Sequence, residues 1–557
     1  MKALALVVAV VGLWLALPAN ASAARVAVGL AKSASAARVA KAVEERTGSR
    51  PQSLKPIPAL VVDLPEGVSL RGIRGIRYVE PLVTRQLAFT PTDPLASKQW
   101  YLSYSGFYQP WVTLPAFEPI PVAVIDSGVD AGHPDLVTLG GASKILDAKS
   151  FVGGSARVDT FGHGTFVAGL IGAGLDNGVG IAGLAPSSQL LIAKVVTKAR
   201  TIPVEAEAKA IRWAVDGGAR VINISLGGLR DPSDPSRDTY SRLEQEAIAY
   251  AVRHGVVVVA AVGNADQAPE TPWRFASYPA ALPHVLGVSA LARNGTSPAF
   301  SNRDAVYNDV AAPGEDILST FPRKLTADRP ECQDQGYTPC ATDQFRPPEG
   351  TSFAAPQVTA AAADLLGVRP SLRPEQVIAL IERNADDASP SSGCRRCEIG
   401  RDELTGWGQL DVAGAIAALD RPLPPRDTYE PNDDAGPDAY RLYFLAGAKA
   451  RFVRASTDFW DDEDDVYAVR LRAGDRLFAS LVPVSSNDVV LALWRPSTMS
   501  VTDLARQDLR VRLSNRPGRR ERLAYTAQQD GWYDLQVRLT APADMPVAYR
   551  LSIVRVR

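Results

Sequence analysis

Charge of one sign, long apolar runs, cysteine and histidine are all scarce in this chain, and each shortage narrows what it can be. Lysine and arginine number 60 against 61 aspartates and glutamates, a formal net charge of −1. With no excess of basic charge to neutralise a phosphate backbone, nucleic acid is not expected as a partner. After the first two dozen residues no stretch reaches the roughly 18 apolar residues that a membrane helix needs, so no stable membrane insertion is expected. Four histidines stand in 557 residues, so few groups are available to act as a base near neutral pH, and the setting of each is informative.

The length suggests about three or four domains. Residues 1–23 carry a basic start at Lys2, an apolar stretch from Ala3 to Leu17 and the small-residue sequence Ala21-Ser22-Ala23. That is the pattern of a secretory signal peptide with its cleavage site, and it predicts a protein secreted to the extracellular or periplasmic space. The alternative is an uncleaved anchor.

The most unusual stretch is Gly350-Thr351-Ser352-Phe353-Ala354-Ala355-Pro356, which leads into a helix-like run from Gln357 to Leu366. Ser352 falls at or near a helix N-terminus, where unpaired N–H groups and the helix dipole favour an anion beside its oxygen. Pro356 is expected early in that helix, where a missing N–H costs little. Read alone, Ser352 is an ordinary helix cap or a nucleophile that needs a base and a group to orient it.

His163 lies in Asp159-Thr160-Phe161-Gly162-His163-Gly164-Thr165, flanked by glycines that allow close approach to the imidazole and opening a helix of small residues. His133, His254 and His284 have unremarkable surroundings and read as structural. Asp126 ends the apolar run Pro121-Val122-Ala123-Val124-Ile125, which reads as a buried parallel strand. The C-terminal edge of such a sheet is where open α/β folds place their sites, although an aspartate there can also simply form a turn. Asn264 ends the apolar run from Gly255 through Gly263, as a turn residue or as a donor.

These stretches, in the order Asp, His, Ser, resemble the motifs of the subtilisin-like serine proteases, the subtilases. The resemblance implies a secreted serine endopeptidase with Asp126, His163 and Ser352 as catalytic triad and the Asn264 amide in the oxyanion hole. It implies that Ser225, Leu226 and Gly227 form a substrate-binding edge to which an extended peptide adds as a strand. It also implies a structural calcium ion held by Asp135 and Asn177 with carbonyls of Leu175, Val179 and Ile181, Gln99 being a further candidate, and no organic cofactor. The partners are then protein or peptide substrates and the chain's own propeptide, and a monomer is expected. Two rival functions share the motifs: a catalytically silent, subtilase-shaped binding protein and an esterase using the same triad.

The fold expected is α/β, a doubly wound parallel sheet over residues 93–420, preceded by a small α+β unit over 24–92. That unit's position between signal and catalytic domain resembles the inhibitory propeptide of subtilases. Within it Arg25 to Leu30, Ala59 to Leu64 and Ile76 to Pro81 read as strands and Ala34 to Arg46 as an amphipathic helix. In the catalytic domain Leu190 to Val196, Val221 to Leu226 and the Val256 run are the clearest strands, and Val204 to Asp216 and Tyr240 to His254 the clearest helices. Residues 421–426 form a proline-rich linker. Residues 427–557 open with Asp427-Thr428-Tyr429-Glu430-Pro431-Asn432-Asp433 and resemble the bacterial pre-peptidase C-terminal domain, a β-sandwich. The acidic run Asp461 to Asp465 reads as a solvated loop or a cation site. Cys332, Cys340, Cys394 and Cys397 are an even set in a secreted chain and so are expected as disulfides, with local pairs Cys332–Cys340 and Cys394–Cys397 chosen from three pairings. A four-cysteine zinc site fits the count but not the compartment.

Overall fold

The computed structural model describes residues 24–556 apart from 33, 66, 83–87, 327–335, 339–348, 422–427, 446–447, 459–461, 463, 485–486, 502, 517–519 and 541–545. The signal segment, most of the linker and Cys332 and Cys340 therefore lie outside the described residues. The chain divides into two compact units, Met1–Leu87 and Ala88–Arg557.

In the first unit β1 (Ala24–Leu30), β2 (Gln52–Ser53), β3 (Ala59–Leu64) and β4 (Ile76–Pro81) form an antiparallel sheet in the order β2-β3-β1-β4. Helix α1 (Ala36–Thr47) covers it, burying Val39 and Val43 against Val26, Val28, Leu60 and Val62. The two-residue strand β2 carries no apolar pattern and is held only by pairing to Leu60 and Val61, which is why the sequence did not announce it.

The second unit begins with the short helix α2 (Tyr101–Tyr104) and is built on seven strands: β5 (Ile120–Asp126), β6 (Ile145–Ser150), β7 (Ser188–Lys194), β8 (Val221–Ile224), β9 (Val257–Ala261), β10 (Val285–Leu291) and β11 (Val310–Pro313). All are parallel, in the order β11-β10-β9-β8-β5-β7-β6. Strands β8 to β11 are buried along their whole length, as continuous apolar runs between helical layers must be. The helices are α3 (His163–Gly172), α4 (Val204–Asp216), α5 (Arg242–Arg253), α6 (Arg323–Thr326), α7 (Thr351–Val368), α8 (Pro374–Glu382) and α9 (Val412–Ala417). From β5 the chain builds β6 and β7 on one side and β8 to β11 on the other, so the direction of winding reverses at β5. Such a reversal opens a crevice at the carboxyl ends of the strands.

Helix α7 is buried at nearly every position, which suits its composition, apolar all round. It begins at Thr351, earlier than the run from Gln357, and this corrects the expectation for Pro356. The proline is the sixth residue of the helix and not in its first turn, so its missing N–H removes the donor that would otherwise reach the Ser352 carbonyl four residues back.

The C-terminal region is a two-sheet β-sandwich. One sheet runs β12 (Tyr440–Leu442), β14 (Asp464–Leu471), β19 (Gly531–Leu539), β16 (Val489–Trp494), β17 (Arg510–Ser514), and the other β13 (Ala450–Thr457), β20 (Val547–Val556), β15 (Arg476–Pro483), β18 (Glu521–Thr526). Pairing is antiparallel except between β12 and β14. Alternate residues such as Leu477, Ala479 and Leu481 enter the core, the period-two pattern of a half-buried strand. The sandwich joins the catalytic region through Arg253 with Asp438 and His284 with Asp433, both at 2.9 Å.

Candidate active site

Three neighbouring strands end at the crevice. Asp126 is the last residue of β5, Ser225 follows β8, and Asn264 follows β9 by three residues. The amino ends of α3 and α7 carry His163 and Ser352, and the His163 ring lies 5.7 Å from that of Phe353, the residue after Ser352.

Asp126 is wholly buried, and both its oxygens lie 2.9 Å from Nδ1 of His163. The Ser127 N–H donates to Asp126 Oδ1 at 2.6 Å, which helps to fix the carboxylate plane. Burial opposes a charge on the imidazole, but the Asp126 carboxylate beside it, with Asp159 adding its charge, outweighs that cost. The net effect holds the His163 pKa above its ordinary 6.5.

Asp159 is a residue that sequence reasoning passed over. Its Oδ1 accepts from the Ser127 hydroxyl and from the N–H groups of Phe161 and Gly162, all at 2.9 Å. Its Oδ2 accepts from the N–H of Thr165 at 2.9 Å and its hydroxyl at 2.8 Å. One buried carboxylate thus fixes the loop ahead of α3 and the first turn of that helix. The signal available in the sequence was an aspartate a few residues ahead of a helix start, a capping position.

Ser352 stands in the first turn of α7, and its Oγ donates to the Ser225 carbonyl at 3.0 Å. The Phe353 ring next to it lies 5.7 Å from the His163 imidazole and 4.0 Å from the Phe166 ring on α3, so aromatic packing sets the two helix starts side by side. Asn264 accepts through Oδ1 from the N–H and the hydroxyl of Thr351 at 3.1 and 3.0 Å. Its Nδ2 is left as the end of the carboxamide that can donate. Gly263 before it has φ +94°, and a Cβ there would sit 2.3 Å from Ser277 Oγ, so only glycine lets the chain turn into Asn264.

Beside the edge expected to bind substrate, Gly228 and Tyr278 exchange backbone hydrogen bonds of 2.9 Å, and a Cβ on Gly227 would meet the Tyr278 carbonyl at 2.3 Å. The glycine is therefore demanded by the Tyr278 backbone beside it, whatever room it leaves for a substrate.

A carboxylate orienting an imidazole, a serine at a helix start and an amide donor beside it are the parts of an acyl-transfer site. Comparison with known proteins gives the same direction: the model of the subtilase family, Peptidase_S8, matches residues 119–408. The chain belongs to the subtilase family. Fervidolysin of Fervidobacterium pennivorans is 32% identical over 394 residues, 63% of this chain and 51% of that protein, so the chain spans about half of its length. Thermitase of Thermoactinomyces vulgaris is 33% identical over 304 residues, 54% of this chain and 93% of that protein. The crystal structure of fervidolysin aligns with a TM-score of 0.48 and 23% identity, covering 92% of this chain and 70% of that one.

Subtilases commonly bind structural calcium, and the five residues expected to do so here lie around Asp135. That side chain is fully buried; its Oδ1 accepts from Asn177 Nδ2 at 3.2 Å and its Oδ2 from the Ile181 N–H at 2.9 Å and the Tyr337 hydroxyl at 3.1 Å. Asp93, which sequence reasoning missed, is also buried and accepts from the N–H groups of Asp176 and Asn177 at 2.9 and 3.0 Å. Burial, with the Asp93 charge adding to it, pushes the Asp135 carboxyl up to about 7. Asn177 turns Nδ2 to Asp135 while its Oδ1 accepts from the Val179 N–H at 2.8 Å, so the two buried carboxylates are the oxygen donors of this loop that suit a hard cation. Gln99 turns its oxygen to the Ala182 N–H at 2.7 Å.

Cys394 and Cys397 are bonded to each other, as expected. His133 is buried against the Gly336 carbonyl at 2.8 Å, and His254 caps α5 with Nδ1 2.8 Å from the Tyr250 carbonyl. The acidic run is not simply a solvated loop: Asp465 is buried and accepts from the hydroxyls of Tyr467 and Tyr549 at 3.2 and 2.6 Å. Asp462 meets Glu430 and Asp433, with carboxylate oxygens within 4.8 Å of one another. Among the described residues no helix is long and apolar enough to cross a membrane.

Proposed function

We propose that this subtilase is a serine endopeptidase, secreted and made as a preproenzyme, that hydrolyses peptide bonds through Asp126, His163 and Ser352. The observation that carries the reading is the pairing of His163 Nδ1 with both oxygens of Asp126 at 2.9 Å. It leaves Nε2 as the ring nitrogen that acts as the base.

A substrate strand lies along Ser225, Leu226 and Gly227 and displaces the Ser352 hydroxyl from the Ser225 carbonyl toward His163. His163 takes the proton as Oγ attacks the peptide carbonyl, and Asp126 stabilises the imidazolium without itself being protonated. The oxyanion is held by Asn264 Nδ2 and the Ser352 N–H, which as a first-turn group has no intrahelical acceptor. His163 returns its proton to the leaving amine, and water then hydrolyses the acyl-enzyme by the same steps in reverse.

Residues 24–92 act as an inhibitory propeptide removed by Ser352 itself. Asp135, Asn177 and the carbonyls of Leu175, Val179 and Ile181, with Asp93 beside them, would hold a structural calcium ion, whose charge would neutralise the buried carboxylates and stiffen the loop.

The test is intact mass over time for wild type beside Ser352→Ala. Loss of about 70 residues after signal removal, the length of the expected propeptide, in the wild type alone supports the reading. Both chains staying whole, with no labelling of Ser352 by a serine-directed covalent probe, would establish a silent scaffold instead. Faster turnover of an ester than of the matched peptide amide is general for acyl transfer, so an esterase is indicated only by ester turnover with no peptide cleavage at all.

A further inference from the structure

The two sheets of the sandwich treat their outer faces differently. That of the five-stranded sheet is covered by the chain itself, with Val466, Ala468 and Trp494 packed against Ala435 and Leu509. That of the four-stranded sheet has no comparable apolar cover among the described residues: Phe452 is 70% and Phe478 37% exposed.

Strand register gives this face its layout. One row across it is Phe452, Ser552, Ser480, Arg522, and the next is Val554, Phe478, Ala524. Small side chains beside the Phe478 ring leave a groove of about 380 Å³ along Phe478, Ser480, Ser552 and Val554. The charges on the face are all of one sign. Arg454, Arg476, Arg522 and Arg550 point outward from the four strands, and no aspartate or glutamate does.

Arg454 and Arg550 are moreover directly opposite each other across β13 and β20. Like charges facing each other in a sheet are destabilising, and among the described residues no carboxylate pairs with either. Folding gains nothing from that arrangement, but an anionic partner does. Guanidinium groups grip carboxylates in a two-pronged fashion, and exposed aromatic rings beside small residues accept apolar side chains.

We infer that the outer face of β13, β20, β15 and β18 is a docking surface for an extended polypeptide segment that alternates acidic and aromatic residues, part of the substrate rather than the bond cut. The inference rests on the proposed peptidase activity for the identity of the occupant as substrate, and it deepens that reading by naming a substrate class.

The first measurement uses the full chain carrying Ser352→Ala, so that bound peptide is not cut. The fluorescence anisotropy of a labelled 12-residue peptide of alternating Glu and Phe is followed beside its Lys-for-Glu counterpart. Binding of the acidic peptide about tenfold tighter than the basic one is expected. Added Arg454→Glu and Arg550→Glu, or separately Phe452→Ser and Phe478→Ser, should weaken it by a similar factor. Equal binding of the two peptides, or binding untouched by both pairs of changes, overturns the inference. So does binding to phosphatidylglycerol vesicles without binding of the acidic peptide, which would make the face a membrane surface.

The second measurement uses chains with Ser352 intact and a short peptide amide with and without the acidic extension. A higher kcat/KM for the extended form, abolished by the arginine changes while the short form is cut as before, supports substrate docking. If neither form is cut yet the Ser352→Ala chain binds the acidic peptide selectively, the peptidase reading fails and the docking surface stands.

Discussion

Asn264 and Thr351 are joined by two hydrogen bonds, of 3.1 Å from the threonine N–H and 3.0 Å from its hydroxyl, both ending on the asparagine Oδ1. The pair ties the proposed oxyanion donor to the first residue of the helix that carries Ser352, and it leaves the Nδ2 end of the carboxamide to donate. Thr351→Val keeps the shape and removes one bond, so kcat should fall about tenfold with KM changed little. Asn264→Ala removes the donor outright and should cost about 10² to 10³ in kcat, a magnitude established on subtilisin. Steady-state kinetics on one peptide amide separates the two; equal losses would mean that Thr351 does more than hold the amide.

The acid limb of the pH profile follows from Asp126. His163 must be neutral to act as base, and the nearby carboxylate raises its pKa above 6.5, so kcat/KM should climb with pH through a midpoint above that value. Asp126→Asn should shift the midpoint downward and lower kcat by about 10⁴, the scale known for triad aspartates including that of subtilisin. A profile whose midpoint stays put in the variant would break the link.

Asp159→Ala should act on stability and on catalysis together. It strands five donors, and loss of a buried hydrogen-bond network of this kind costs about 2–4 kcal/mol. A thermal melt reads the first effect, and a fall in kcat that is not recovered below the melting range reads the second.

Calcium removal should lower the melting temperature through the loop around Asp135. Chelator is expected to destabilise the wild type strongly and Asp135→Asn hardly at all, since the variant has already lost a buried carboxylate of the donor set. Equal chelator sensitivity in both would move the ion elsewhere, with the Glu430, Asp433 and Asp462 cluster next in line.

Alkaline stability should be limited by Glu207 and Glu244, buried against each other between α4 and α5. Burial raises both carboxyls above the ordinary 4.5, and for Glu244 the negative Glu207 adds to it. The folded state then holds more protons than the unfolded one, so stability declines as pH rises from about 4.5 through neutrality. Glu207→Gln should flatten that decline, as read by melts across the range.

The helices and strands with strong periodicity were legible from residues alone: α4 spans Val204–Asp216, as its pattern dictates. Strands β6, β10 and β11 were not singled out. β6 is an edge strand with exposed polar residues, and β10 is broken by Gly287 and Ser289, so pairing within the finished sheet defines them more than their own pattern does. The residues proposed to carry the chemistry stand out in the sequence because their settings are costly for ordinary structure: a histidine between glycines, a serine at the head of an apolar helix. What supports them was hidden. Asp159, Thr351 and Asp93 look like common turn and cap residues, and their importance lies in partners up to 87 positions away.

The reversal of winding at β5 has a consequence for how the protein is made. Asp126 and Ser352 are separated by most of the catalytic region, and the helix bearing Ser352 packs into a layer against strands completed well before it. A ribosome releases these parts in order, so a chain lacking α7 has the proposed orienting carboxylate, base and oxyanion amide but not the proposed nucleophile. On the proposed reading the growing polypeptide gains its nucleophile only after all seven strands of the sheet have been made.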